Sequence, residues 1–160
     1  MRIGILNTDT LKTEFDTKYG QYPVMFSNVL LQAEPNLQIR TYEVQFGDYP
    51  AALDECDAYL ITGSKVSAYD DIAWIHELKN FVRSIHQHQK KLIGICFGHQ
   101  LIAAALGGSV ERSKEGWHVG IHSAMLKQNS VLFGSAEKEF DLIYNHQDQV
   151  MTMPRDSILH

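Results

Sequence analysis

Short apolar runs alternate along the chain with stretches whose apolar residues recur every three or four positions. Arg2–Leu6, Leu37–Tyr42, Ala58–Thr62 and Lys91–Cys96 are apolar along most of their length, as strands buried in a parallel sheet are. Between the third and fourth runs, Trp74, Ile75, Leu78, Phe81, Val82 and Ile85 share one face of a helix, which predicts a crossover helix. A second helical pattern covers Tyr22–Ala33. A third, Gly98–Leu106, follows Cys96 and stops at Gly107 and Gly108. Strand and helix in alternation predict an α/β domain of three layers, a mostly parallel sheet with helices on both faces. Beyond Gly108 the pattern breaks into short segments, Ser109–Arg112, His118–Leu126 and Phe140–Asn145, expected as antiparallel additions on one side of that sheet.

Composition narrows this little. With 160 residues, 44% of them hydrophobic, the chain has enough apolar mass for one well-buried core. Neither a repeat nor a Pro/Gly/Ser-rich linker divides it, so 1–160 reads as a single domain. A net charge of −5, with Lys and Arg scattered, argues against nucleic acid or an anionic membrane surface as partner. Met1–Leu6 lacks the apolar length of a signal peptide, and no run approaches the ~20 apolar residues that span a bilayer. The two cysteines, Cys56 and Cys96, do not suggest a disulfide framework, so a reducing cytoplasm is the expected setting.

The chemistry concentrates in Gly94-Ile95-Cys96-Phe97-Gly98-His99-Gln100, where a strand meets a helix at a cysteine flanked two residues away on each side by glycine. This is the pattern of a nucleophile elbow. A sharp strand-to-helix turn strains the nucleophile's backbone, and Gly94 and Gly98 let strand and helix approach. A helix N-terminus at the thiol is expected to favour thiolate. Cys56 lies in Asp54-Glu55-Cys56-Asp57, among carboxylates that disfavour a thiolate, and reads as inert. His76, Glu77, His86 and His88 fall on the polar face of the crossover helix and read as solvated, so no metal site is expected.

Gly94, Cys96, Gly98 and Gln100 fit every fixed position of Gly-x-Cys-x-Gly-x-Gln, the elbow of class I glutamine amidotransferases. The chain resembles that family from Arg2 to about Ile158, and within it the stand-alone proteins related to the glutaminase domain of GMP synthase. The resemblance implies a flavodoxin-like fold and hydrolysis of the glutamine side-chain amide through a thioester on Cys96. Neither a cofactor nor a metal is implied. One oxyanion donor is expected from the Phe97 N–H. The second is expected from Ile61-Thr62-Gly63-Ser64-Lys65, which is similar to the family's Ser-Gly-Gly-Pro loop and leaves Gly63 and Ser64 as alternatives. Asn145-His146-Gln147-Asp148-Gln149-Val150 is similar to the family's His-x-Asp-x-Val segment. That analogy puts Gln147 and Asp148 in the substrate pocket, with the Gln100 side chain reading the ligand.

The family draws its catalytic imidazole and carboxylate from a downstream His-Pro-Glu motif, and no His-x-Glu triplet follows His146 here. His99, His118, His122 and His146 are conceivable substitutes, none at a telling distance from an acid. The expectation is a domain cut before its last strands and helix, inactive or very weak alone. L-Glutamine is the expected ligand, and a synthase subunit or other ammonia acceptor the expected partner. Two alternatives share the fold: a γ-glutamyl hydrolase or peptidase, and a non-catalytic remnant that binds glutamine or a partner.

Overall fold

A computed structural model describes residues 1–126 and 139–160. Four strands, β1 (Arg2–Asn7), β2 (Gln38–Glu43), β3 (Ala58–Ile61) and β4 (Lys91–Gly94), form a wholly parallel sheet in the order β2-β1-β3-β4. The connection from β1 to β2 carries α1 (Thr13–Tyr19) and α2 (Tyr22–Ala33), and that from β3 to β4 carries α3 (Ala73–Gln87). These two connections run in opposite directions across the sheet. Right-handed crossovers therefore put α2 and α3 on opposite faces. The order reverses between β1 and β3, and the crevice at the carboxyl ends of strands there is where such sheets bind ligands.

The predicted crossover helix is α3, and its apolar stripe, Ile75, Leu78, Val82 and Ile85, is fully buried. It packs with Phe97 and Leu101 of α4 (Phe97–Ala105) onto Leu6, Tyr42, Tyr59 and Ile61 of the sheet. Gly107, at φ 96°, takes the chain out of α4 in a backbone conformation that side chains disfavour.

Three sequence expectations change. Of the four strands expected to be buried, only the central β1 and β3 are. The outer strands β2 and β4 alternate with solvent, and Ile93 is 51% exposed. The chain reaches Cys96 only after leaving β4 at Gly94. The segments after Gly108 do not extend the sheet. Instead β5 (Ser109–Arg112) pairs antiparallel with β8 (Asp148–Thr152), and β6 (His118–Met125) with β7 (Glu139–His146), as separate two-stranded ribbons. β8 and α1 have no counterpart in the hydrophobic pattern, because β8 alternates weakly and α1 buries none of its residues.

Candidate active site

The elbow is built by exclusion of side chains. A Cβ on Gly98 would lie 2.5 Å from the Ile61 carbonyl oxygen, and one on Gly94 would lie 2.5 Å from the Gly98 carbonyl carbon. Strand and helix are therefore in backbone contact, and the residue between them absorbs the turn. Cys96 does so at φ 51° and ψ −107°, a conformation that costs a non-glycine residue on the order of 1–3 kcal/mol. The Phe97 N–H, at the first turn of α4, reaches the Cys96 Sγ. The Phe97 ring is buried beside Trp74.

The loop after β3 is fixed by hydroxyls. Thr8 Oγ1 donates to the Gly63 carbonyl at 2.9 Å, Ser64 Oγ donates to the Thr8 carbonyl at 2.9 Å, and the Thr8 N–H donates to Thr62 Oγ1 at 3.0 Å. Asp9, buried, accepts from the Lys65 N–H at 2.9 Å and from Lys65 Nζ at 2.6 Å. These contacts hold Gly63 against Cys96, where a Cβ on Gly63 would sit 3.7 Å from that of Cys96. The Lys65 N–H is consumed by Asp9, whereas those of Gly63 and Ser64 bond to nothing among the described residues.

Gln147 and Asp148 come from the start of β8. The Asp148 carboxylate accepts from Ser67 Oγ at 2.5 Å and Tyr69 Oη at 3.0 Å, which ties β8 to the β3 loop. Gln147 Oε1 is buried without a hydrogen-bond donor among the described residues. Gln100, expected to read a ligand, donates its Nε2 to the Asp148 carbonyl at 2.9 Å. Its amide nitrogen thus clamps α4 to β8 with one of its two N–H groups, and the second N–H and Oε1 remain for a ligand.

Cys96, Gly63, Ser64, Gln100, Gln147 and Asp148 border one cavity of about 690 Å³. Sequence reasoning missed residues that steady it: Thr8, Asp9, Ser67 and Tyr69 carry no spacing signal, since they meet their partners only through the fold. It also missed Tyr22, whose phenol is pushed up by burial, then by Asp9 and by Cys96.

The expected lowering of the Cys96 pKa is reversed. Protein packed around the thiol pushes it up, the Phe97 N–H pulls it down, and Asp148 pushes it up again. Desolvation outweighs the helix terminus. Among the described residues no histidine is hydrogen-bonded to Cys96. His146 lines the cavity and is pushed down by burial and by His118, on which its ring stacks at 6.0 Å. His118 and His122 lie beside it on the β6–β7 ribbon, and His99 sits on α4. Cys56 is fully buried, with Tyr42 Oη 3.7 Å from its Sγ. No helix among the described residues is long and apolar enough to cross a membrane.

Comparison with known proteins bears on the family and the fold. The chain is 36% identical to a glutamine amidotransferase-like protein of Schizosaccharomyces pombe, an alignment covering 95% of the chain and 66% of that protein. It is 32% identical to gamma-glutamyl peptidase 4 of Arabidopsis thaliana, over 94% of the chain and 62% of the peptidase. The chain thus spans slightly less than two thirds of both relatives. A glutamine amidotransferase structure from Thermotoga maritima shares the fold at a TM-score of 0.78 and 19% identity, over 96% of the chain and 63% of its own. A family model described as glutamine amidotransferase class-I matches residues 19–159, and the chain belongs to that family.

Proposed function

We propose that Cys96 is the nucleophile of an amide hydrolase acting on the side-chain carboxamide of glutamine. The observation that carries this is the strained Cys96 backbone beside the unengaged Gly63 and Ser64 N–H groups. Sγ bonds to the amide carbon, and the negative charge on the former carbonyl oxygen falls to the Phe97 N–H and one donor of the β3 loop. Collapse breaks the C–N bond, the proton given up by the Cys96 thiol goes to the leaving nitrogen, ammonia departs, and a γ-glutamyl thioester remains. Water then cleaves the thioester to glutamate and the free thiol. Gln147 Oε1, buried and unsatisfied, suits the substrate's ammonium group. Asp148 and Gln100 hold the floor of the site, and the ammonia passes to a synthase subunit or other acceptor.

The cavity favours a second reading as well. About 690 Å³ is room for a ligand far larger than glutamine, and a relative is a gamma-glutamyl peptidase. A γ-glutamyl peptide follows the same thioester route with an amino acid or peptide as leaving group.

A diazoketone analogue of glutamine tests the shared premise. It should alkylate Cys96 alone, as mapped by peptide mass. Modification of Cys56 with Cys96 untouched would sink the assignment.

A further inference from the structure

We propose that the part of the cavity walled by α1 and α2 is a second subsite, which takes a large apolar or aromatic group on the amine side of a γ-glutamyl amide. This rests on Cys96 being the nucleophile. The cavity is bordered by side chains of two kinds. Its lining includes Cys96, Gln147 and Asp148 and also the apolar and aromatic side chains of Leu11, Phe15, Tyr22 and Phe26 from the connection that carries α1 and α2. Neither the glutamyl group nor ammonia, the leaving group of glutamine, needs such an apolar wall. A leaving amine with a bulky side chain does, and it would lie on the side of the thioester away from the glutamyl group.

The rings on that wall serve no core. α1 buries none of its residues, and Phe15 is 48% exposed where it faces the cavity. Tyr22 and Phe26 stand one turn apart on α2, their ring centroids 6.4 Å apart and their planes inclined by 34°. The wall is preset. The Gln21 side chain accepts from the Leu11 N–H at 2.8 Å and donates back to the Leu11 carbonyl at 3.2 Å, closing the base of the α1 loop. A ligand therefore meets rings already placed and loses less ordering entropy on binding. Continuity with Cys96 comes through the cavity itself, whose lining holds Tyr22, Asp9 and Cys96 together.

The occupant is a γ-glutamyl peptide whose second residue is aromatic or large and apolar. Recognition can be read without turnover, as protection of Cys96 from iodoacetamide by added glutamine, γ-glutamylglycine or γ-glutamylphenylalanine. γ-Glutamylphenylalanine should protect at about tenfold lower concentration than γ-glutamylglycine, the expected effect of burying one phenyl ring. Phe15→Ala and Phe26→Ala should each narrow that ratio, with thermal unfolding showing that the variants fold. Phe15 is exposed on α1, so its replacement keeps the test informative if Phe26→Ala proves unstable. Equal protection by the two dipeptides, or a preference unmoved by both substitutions, overturns the subsite and leaves the role of Cys96 standing. Protection by none of the three compounds overturns both.

Discussion

Two opposing influences meet at Cys96. The helix terminus offers the Phe97 N–H to the thiolate, while surrounding protein and the Asp148 charge disfavour it, and the balance pushes the thiol up. A group raised in this way is protonated at neutral pH and gains reactivity only as pH climbs. Alkylation of Cys96 by iodoacetamide should therefore rise about tenfold per pH unit from neutrality and keep rising past 9.0, the ordinary value of such a thiol. A rate that levels off near neutrality would show a thiolate stabilised by something other than the groups described. The position of this cysteine was legible in the sequence because glycines at fixed spacing are a local signal. The direction of its pKa was not, because desolvation is set by what β8 and the β3 loop bring across the fold. Gln100 teaches the same lesson: its spacing marks it as part of the site, while its hydrogen bond to the Asp148 carbonyl is visible only in three dimensions.

Elements meet most closely where β3, β4 and α4 converge on the elbow. Gly98→Val places a branched side chain against the Ile61 backbone, at a point where even a Cβ would come within 2.5 Å. Such overpacking costs about 1–3 kcal/mol or more, so the melting temperature should fall by several degrees. A variant as stable as the parent would mean that strand and helix are not in contact there. α3 was readable in full, since an amphipathic stripe repeats over many residues and depends on no distant partner. β5, β6 and β7 were located and expected to be antiparallel, but β8 and the separation of the ribbons from the sheet were not foreseen, because pairing partners of short strands are chosen by tertiary position. α1 gave no periodic signal at all, having no buried face.

For the whole molecule, the parallel sheet and its helix layers follow from the order of apolar runs, and the site falls at the carboxyl ends of β1, β3 and β4, as that topology requires. Catalysis asks for more than this arrangement supplies. Among the described residues Cys96 has no imidazole bonded to it, and absence of a general acid and base costs ~10²–10⁴ in rate. Ammonia release from glutamine by the 160-residue chain should accordingly fall below that of the same chain extended by a segment bearing a His-Pro-Glu motif, by a factor of that order. Equal turnover would show that His99, His118, His122 or His146 swings to the thiol and serves as base. The outer edge of β4, unpaired among the described residues, ends two positions before Cys96. An extended segment zipped onto that edge, from this chain or another, would stiffen the backbone leading into Cys96. Such an addition would act as a splint on the elbow, so that whatever covers the strand also governs how firmly the thiol is aimed.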